Sequence, residues 1–151
     1  MIAGLPNARR WSWRLLVIEA LACLALASVL LRLLPFRRLA PWLGPVSPAG
    51  APSPHCEPDD AQRKQALRVG AAVRRAARLL PWPVLCLPEA MAAKAMLARR
   101  GLRATLHLGA HPGGGVAAEA GLHAHAWLLL GSVEVTGGAE RRAFVELARF
   151  G

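Results

Sequence analysis

The sequence from residue 15 to residue 34, LLVIEALACLALASVLLRLL, is almost wholly apolar. Such a stretch must enter a protein core or lie in or on a membrane, because apolar surface is unfavourable in water. Glu19 and Arg32 limit the uninterrupted run to residues 20–31, which is short for a membrane span. Three interpretations remain: a buried or interfacial helix, a marginal transmembrane helix, and a secretory signal cleaved near residues 25–27. We favour the first, because cleavage would discard half of one continuous pattern.

The residues that follow the apolar stretch divide the chain. In PFRRLAPWLG, Arg37 and Arg38 lie beside apolar and aromatic side chains, which suits the headgroup region of an anionic membrane or a contact with a partner protein. Residues 44–58 hold five prolines with glycine and serine between them, a composition typical of an exposed linker. We therefore expect an apolar and basic helical segment (1–43), a proline-rich linker (44–58) and a folded domain (59–151).

Within residues 59–151 the pattern predicts helices followed by strands. Asp59 and Asp60 open a helical run that extends to Leu80, since carboxylates favour the start of a helix. A second helix begins at Cys86 and ends before Gly101. Four strand-like segments follow, at 103–109, 122–130, 132–136 and, as a last edge strand, 144–150. This order is typical of an α+β fold in which a helix packs on a small antiparallel sheet.

Charge and cysteine content narrow the function only slightly. The formal charge is +10, which attracts nucleic acid, anionic lipid or an acidic peptide about equally well. The sequence carries no recognised nucleic-acid-binding motif, so we expect no nucleic-acid partner. The three cysteines, Cys23, Cys56 and Cys86, have no C-x-x-C spacing, which argues against a disulfide framework or a cysteine-rich zinc site and favours a reducing, cytoplasmic setting.

A cysteine and two histidines carry the chemistry that we consider most informative. Cysteine reacts as the thiolate, and the unpaired N–H groups at a helix start favour that charged form. Cys86 is expected at such a position. The segment HAHAWLL places His123 and His125 on one face of a strand, so either imidazole could face the cysteine. A helix-start cysteine combined with a strand histidine favours a nucleophile and its acid–base partner over two structural residues.

Other kinds of site are disfavoured. The glycines at 113–115 are not followed by the Lys-Ser/Thr pair of a phosphate-binding loop, and we expect this stretch to be a loop covering the active site. The histidines at 107, 111, 123 and 125 could be imagined as a zinc site, but two of them lie on a strand and a loose loop. We therefore predict no metal and no cofactor.

The motifs around Cys86 and His125 resemble a known family. WPVLCLPEAMAAKAMLARRGLRATLHLG, followed by AHAWLLLG and VTGG, resembles the transglutaminase-like domain of the leader-processing protein in lasso-peptide biosynthesis, over roughly residues 60–138. The apolar amino-terminal segment also resembles that of many members. The resemblance implies a transglutaminase-like, papain-like cysteine peptidase core. It matches the nucleophile to Cys86 and the general base and acid to His125, whereas Cys23, Cys56 and His123 match no catalytic position.

The same resemblance implies a reaction and partners. The family hydrolyses one peptide bond of a ribosomal precursor peptide and frees the core peptide for a separate lasso cyclase. Larger members carry a module that grips the leader peptide, and none fits before the linker here, so we expect a separate leader-binding protein. A membrane contact through residues 11–43 would place the protein at the inner face of the membrane.

One member of the expected catalytic triad is missing. The family supplies an Asp on the strand after the histidine, whereas this chain has no Asp after Asp60. A two-residue turn at Gly131-Ser132 would place His125 opposite Gly138 and leave Glu134 too far along the strand. Glu140, a backbone carbonyl or Thr136 remain as substitutes. The alternative function is a catalytically weakened enzyme, or a non-catalytic scaffold that holds cyclase and precursor at the membrane.

Overall fold

The computed structural model describes residues 6–51, 57–111 and 124–151, with side chains described from Ser12 onward. The described residues form four α-helices, five β-strands and two short 3-10 turns. The helices are α1 (Pro6–Leu33), α2 (Phe36–Leu39), α3 (Asp60–Ala77) and α4 (Cys86–Ala98). The strands are β1 (Val46–Pro48), β2 (Thr105–Ala110), β3 (Ala124–Leu130), β4 (Val133–Thr136) and β5 (Val145–Phe150). The 3-10 turns are Ala40–Leu43 and Arg141–Ala143.

The strands form one antiparallel sheet in the order β1-β5-β2-β3-β4. The strand predicted at the carboxyl end of the sequence is present, but the expectation that it is an edge strand is wrong. β5 lies between β1 and β2, because residues 46–48 form β1 and pair with residues 148–150. These residues belong to the segment predicted as an exposed linker. The division of the chain into three parts remains a prediction.

The hairpin between β3 and β4 has the predicted turn. Leu130 pairs with Val133 and Leu129 with Glu134, across the turn at Gly131 and Ser132. The register then shifts by one residue, so that Thr136 lies opposite Leu128. Such a bulge adds a residue to one strand and redirects the chain that follows it. The pairing ends at Thr136, and the expected position of His125 opposite Gly138 is therefore wrong.

Helices α1, α3 and α4 pack together, and α3 and α4 cover one face of the sheet. The hydrophobic core lies between these layers and includes fully buried residues of each, namely Leu24, Val73, Met96, Leu97, Leu106 and Leu128. One face of the apolar helix α1 therefore packs against the rest of the fold. This burial explains why a chain with a long apolar segment forms a helix-on-sheet fold.

Helix α3 begins with a capping box and approaches the sheet closely. The Asp59 carboxylate accepts the Gln62 backbone N–H, and the Gln62 side chain accepts the Asp59 N–H in return. The helix ends at Ala77, three residues before the predicted end at Leu80. A Cβ added at Gly70 would lie 2.3 Å from the carbonyl oxygen of Val135. The glycine therefore allows α3 to lie directly against β4.

Lys94 joins α4 to the ends of two strands. Its ammonium group donates to the carbonyl oxygens of Ala104 and Phe150, beside β2 and within β5. Burial lowers the pKa of Lys94 to about 8, because the charged form loses hydration.

We expect this lysine to give the unfolding free energy a specific pH dependence. The unfolded lysine holds its proton up to about pH 10.4, whereas the folded one loses it near pH 8. Between these values the unfolded state binds more protons, so the stability of the folded state rises with pH. Urea unfolding from pH 7 to pH 10 should show the wild type gaining stability relative to Lys94→Met. Lys64→Met, on the exposed side of α3, should follow the wild-type trend. If the difference in unfolding free energy between the wild type and Lys94→Met does not change with pH, the lowered pKa of Lys94 is wrong.

Candidate active site

A cleft of about 470 Å³ lies between the start of α4, the carboxyl half of α3 and the end of β4. Both residues predicted to be catalytic, Cys86 and His125, line it. The remaining lining residues are Arg74, Val84, Glu89, Glu134, Val135, Thr136, Gly137, Gly138, Ala139 and Glu140. The fold therefore brings to one cavity two residues that are far apart in the sequence.

Cys86 is the first residue of α4, as predicted. Its thiol is free and half-buried. The Sγ atom accepts the backbone N–H of Ala126 at 3.4 Å, so the sulfur lies against β3 beside the residue that follows His125. A backbone N–H and the start of a helix both direct positive partial charge toward an atom that must become negative to react.

His125 is buried in β3, and its Nε2 atom donates to the carbonyl oxygen of Gly137 at 2.8 Å. A carbonyl oxygen only accepts hydrogen bonds, so Nε2 carries the proton of the neutral ring. The lone pair then lies on Nδ1, the nitrogen that accepts a proton when the ring acts as a base. A backbone carbonyl was one of the substitutes considered for the missing Asp, and the structure places one there.

Gly137 reaches His125 because of its backbone conformation. It follows the bulge in β4 and has a φ of +68°, a region that residues with a Cβ atom enter at a cost. A Cβ at this position would lie 2.5 Å from the carbonyl oxygen of Ala126 and 3.1 Å from Trp127. The glycine is therefore required both by its torsion angle and by its neighbours.

The carboxylates near the cleft do not take the place of the Asp in this structure. Glu134 pairs with Arg141 at 2.9 Å. Glu140 is exposed at the rim. Glu89, one helical turn after Cys86, is half-buried, and burial raises its pKa against the opposing effect of Arg74. Thr136 has a buried hydroxyl without a hydrogen-bond partner among the described residues.

Two aromatic rings enclose His125, and only one of them was predicted from the sequence. Phe144 stacks on the imidazole with ring centroids 4.8 Å apart, and Trp127 stacks on it at 5.9 Å. The period of two in β3 places Trp127 on the same face as His125, as the sequence pattern predicted. No signal in the sequence brings Phe144, which precedes β5, to the same ring.

Among the other cysteines and histidines that the structure describes, Cys23 and His107 do not line the cleft. Cys23 lies on α1, where burial raises the pKa of its thiol. Cys56, His123 and the glycines at 113–115 lie outside the described residues. His107 forms a hydrogen bond with Glu146. Within residues 12–51, 57–111 and 124–151, no group of three or more potential metal ligands is present.

A family model described as the transglutaminase-like superfamily matches residues 30–149. The chain belongs to the transglutaminase-like superfamily. This membership confirms the predicted α+β, transglutaminase-like fold class. No curated protein and no solved structure matches the chain significantly. The superfamily includes cysteine peptidases and transglutaminases, and a cleft with a helix-start cysteine and a strand histidine is consistent with this kind of chemistry.

We expect Gly137→Ala to disturb this transglutaminase-like site more than a comparable glycine substitution elsewhere. Gly101 has a similar φ of +73°, but a Cβ there would meet nothing within 4 Å. Gly101→Ala should therefore lose about 1 kcal/mol of unfolding free energy from backbone strain alone. Gly137→Ala should lose more, because its Cβ also collides with the strand that carries His125. Urea unfolding of both variants measures the difference, and equal losses would contradict the close packing.

Proposed function

We propose that this protein is a cysteine peptidase that removes the leader from a lasso-peptide precursor, with Cys86 as nucleophile and His125 as general base and acid. The observation that carries the proposal is the shared cleft. The Cys86 sulfur accepts the N–H of Ala126, directly after His125, and both residues line the same cavity. The leader-specific part of the proposal is supported by the resemblance of the motifs around the two residues.

The reaction would proceed through an acyl enzyme. The Cys86 sulfur attacks the scissile carbonyl carbon while its proton passes to Nδ1 of His125. The C–N bond then breaks, and the protonated imidazole gives that proton to the departing amine, leaving a thioester on Cys86. Water next loses a proton to His125 and attacks the thioester, which releases the carboxylic acid and restores the thiol. The backbone N–H of Cys86 is the donor best placed for the oxyanion, since Pro88 has none.

The carbonyl group that accepts a hydrogen bond from His125 is relevant to whether the lack of the triad Asp weakens catalysis. In a Ser-His-Asp triad, replacing the Asp by Asn lowers kcat about 10⁴-fold, chiefly because the histidine adopts the wrong tautomer. The carbonyl of Gly137 holds the useful tautomer, with the proton on Nε2. Peptidases with a Cys-His-Asn arrangement also use a neutral partner. A neutral group that fixes the tautomer is thus sufficient for a cysteine nucleophile, which favours the peptidase over the non-catalytic scaffold.

We further propose that a separate leader-binding protein delivers the precursor and that a cyclase closes the ring of the released core peptide. Both partners follow from the family that the sequence resembles. A precursor gene, a cyclase gene and a gene for a small leader-binding protein beside the gene for this chain would support this part. Their absence would remove the lasso assignment and leave the peptidase chemistry to be tested separately.

We expect Cys86→Ala to abolish leader cleavage without preventing formation of the complex. The variant lacks the attacking sulfur but keeps the fold, because alanine suits a helix and is smaller than cysteine. The measurement is mass spectrometry of the precursor after incubation with the purified protein and the leader-binding protein, with co-purification as the binding assay. Cys23→Ala removes a thiol outside the cleft and should cleave as the wild type does. Unchanged cleavage by Cys86→Ala would reject the peptidase and favour the scaffold.

The outward face of α1 supports a further proposal, that the protein docks on an anionic membrane. By length and composition, Ser12–Leu33 is the single helix in the described part of the chain that could cross a membrane. Its outward stripe consists of five large aliphatic side chains with exposed fractions of 48% to 74%. The stripe residues are Leu15, Ile18, Leu26, Val29 and Leu33. Arg37, Arg38 and the 73% exposed Trp42 follow beyond the end of α1, a combination suited to an interface with anionic headgroups.

The opposite face of α1 argues for docking rather than spanning. Ala20 and Leu24 are fully buried against the rest of the domain. Glu19 accepts hydrogen bonds from Arg100, at 2.6 and 3.0 Å. Crossing a bilayer would separate these groups or carry the charged pair into hydrocarbon, which is unfavourable. A helix that stays in the fold and presents only its stripe avoids both, so we propose contact with the cytoplasmic face of the membrane.

We expect Ile18→Glu/Val29→Glu to lose binding to vesicles that contain phosphatidylglycerol. Two carboxylates in the stripe would oppose burial among acyl chains and face anionic headgroups. Leu67→Glu/Leu79→Glu changes two leucines of similar exposure, 47% and 50%, outside the stripe, and should bind as the wild type does. Vesicle co-sedimentation measures both. Equal binding by the two variants, or no wild-type binding, would contradict membrane docking.

A further inference from the structure

Strands β2 and β3 and the residue before β5 carry a continuous series of aromatic contacts that includes His125. The His107 ring stacks on Trp127 with centroids 5.5 Å apart and planes 7° apart. Trp127 stacks on His125, and His125 on Phe144, with interplanar angles of 23° and 28°. His111 meets Phe144 edge-on at 5.9 Å. We call the series His107, Trp127, His125 and Phe144 the aromatic column.

Strand register and one glycine build the column. His107 of β2 pairs directly with Trp127 of β3, and Trp127 follows His125 by two residues on the same face. Gly109 pairs with His125, and a Cβ at Gly109 would lie 2.9 Å from two atoms of the Trp127 ring. The indole therefore occupies the space that a side chain at position 109 would fill. His107, Trp127 and His125 are each more than nine-tenths buried.

The ion pair between Glu146 and Arg149 anchors the end of the column at His107. Nδ1 of His107 donates to the Glu146 carboxylate at 2.6 Å. Arg149 donates to both oxygens of the same carboxylate, at 2.7 and 2.9 Å. Burial lowers the pKa of His107 against the opposing effect of Glu146, and the ring donates one N–H to this carboxylate. Its orientation is thereby set by a carboxylate whose charge Arg149 balances.

We propose that the aromatic column positions the His125 imidazole, with Phe144 and Trp127 holding the plane of the ring and Glu146 acting through His107 and Trp127. The hydrogen bond to Gly137 fixes one nitrogen of His125 but leaves the ring free to turn about that bond. Rings stacked on the imidazole remove this rotation, since each favours one plane. Phe144, Trp127, His107 and Glu146 are thus positioning residues. The proposal rests on the assignment of His125 as the general base.

A substitution at Phe144 tests the column directly. Phe144 is partly exposed, so Phe144→Leu should fold. In this variant His125 should change from a single Nε2–H tautomer to a mixture of the Nε2–H and Nδ1–H tautomers, which the ring ¹⁵N chemical shifts measure. The rate of Cys86 alkylation by iodoacetamide at neutral pH should fall about threefold or more, because a misoriented imidazole pairs less well with the sulfur. Phe144→Tyr keeps a ring and should restore both readouts.

Two further comparisons separate positioning from general packing. Phe36→Leu removes an edge-on aromatic contact elsewhere in the fold, with Phe150 at 5.8 Å, and should leave the tautomer and the alkylation rate unchanged. Glu146→Gln keeps an acceptor for His107, so its His125 tautomer and alkylation rate should match those of the wild type. Glu146→Leu removes the acceptor, so both readouts should match those of Phe144→Leu. If Phe144→Leu keeps the wild-type tautomer and rate, the positioning role is wrong. If the tautomer responds but the wild type cleaves no precursor, positioning is supported and the peptidase function is overturned.

Discussion

The contact between the first turn of α4 and strand β3 is the constraint on which the candidate site depends. It places the Cys86 sulfur against the backbone N–H of Ala126 and so beside the strand that carries His125. The contact is held by the core, where Met96 and Leu97 of α4 and Leu128 of β3 are fully buried. Because a close-packed interior resists small displacements, the core sets the relative positions of the two candidate residues, Cys86 and His125.

The region around β4 shows how the fold supplies a partner for the histidine without an acidic residue. A bulge ends the pairing of β4, and Gly137 then takes a positive φ that directs its carbonyl to His125. Gly70 allows α3 to close on the outer side of β4. Two glycines, each at a place where a Cβ would collide with a backbone oxygen, thus shape one wall of the cleft. The family membership agrees with this architecture, while the substrate and partners remain our proposals.

Part of the fold and of the site could be predicted because the signals are local. The starts of α3 and α4 follow from Asp59 and from the L-C-L-P segment, and the hairpin turn follows from Gly131 and Ser132. Strand β1 could not be predicted, since proline-rich residues 44–58 resemble a linker and only the long-range pairing with β5 makes three of them a strand. Likewise, the bulge that moves Thr136 opposite Leu128 has no signal in the residues themselves.

Three features could be predicted from local patterns: Cys86 begins a helix, His125 lies on a strand, and α1 has an apolar surface. Helix punctuation and side-chain periodicity specify them because both depend on neighbouring residues. Three other features depend on long-range packing: a carbonyl rather than a carboxylate holds His125, Phe144 covers its ring, and one face of α1 is buried while the other is exposed. These features join residues distant in the chain, and their geometry is set by packing and strand register, which no local pattern specifies.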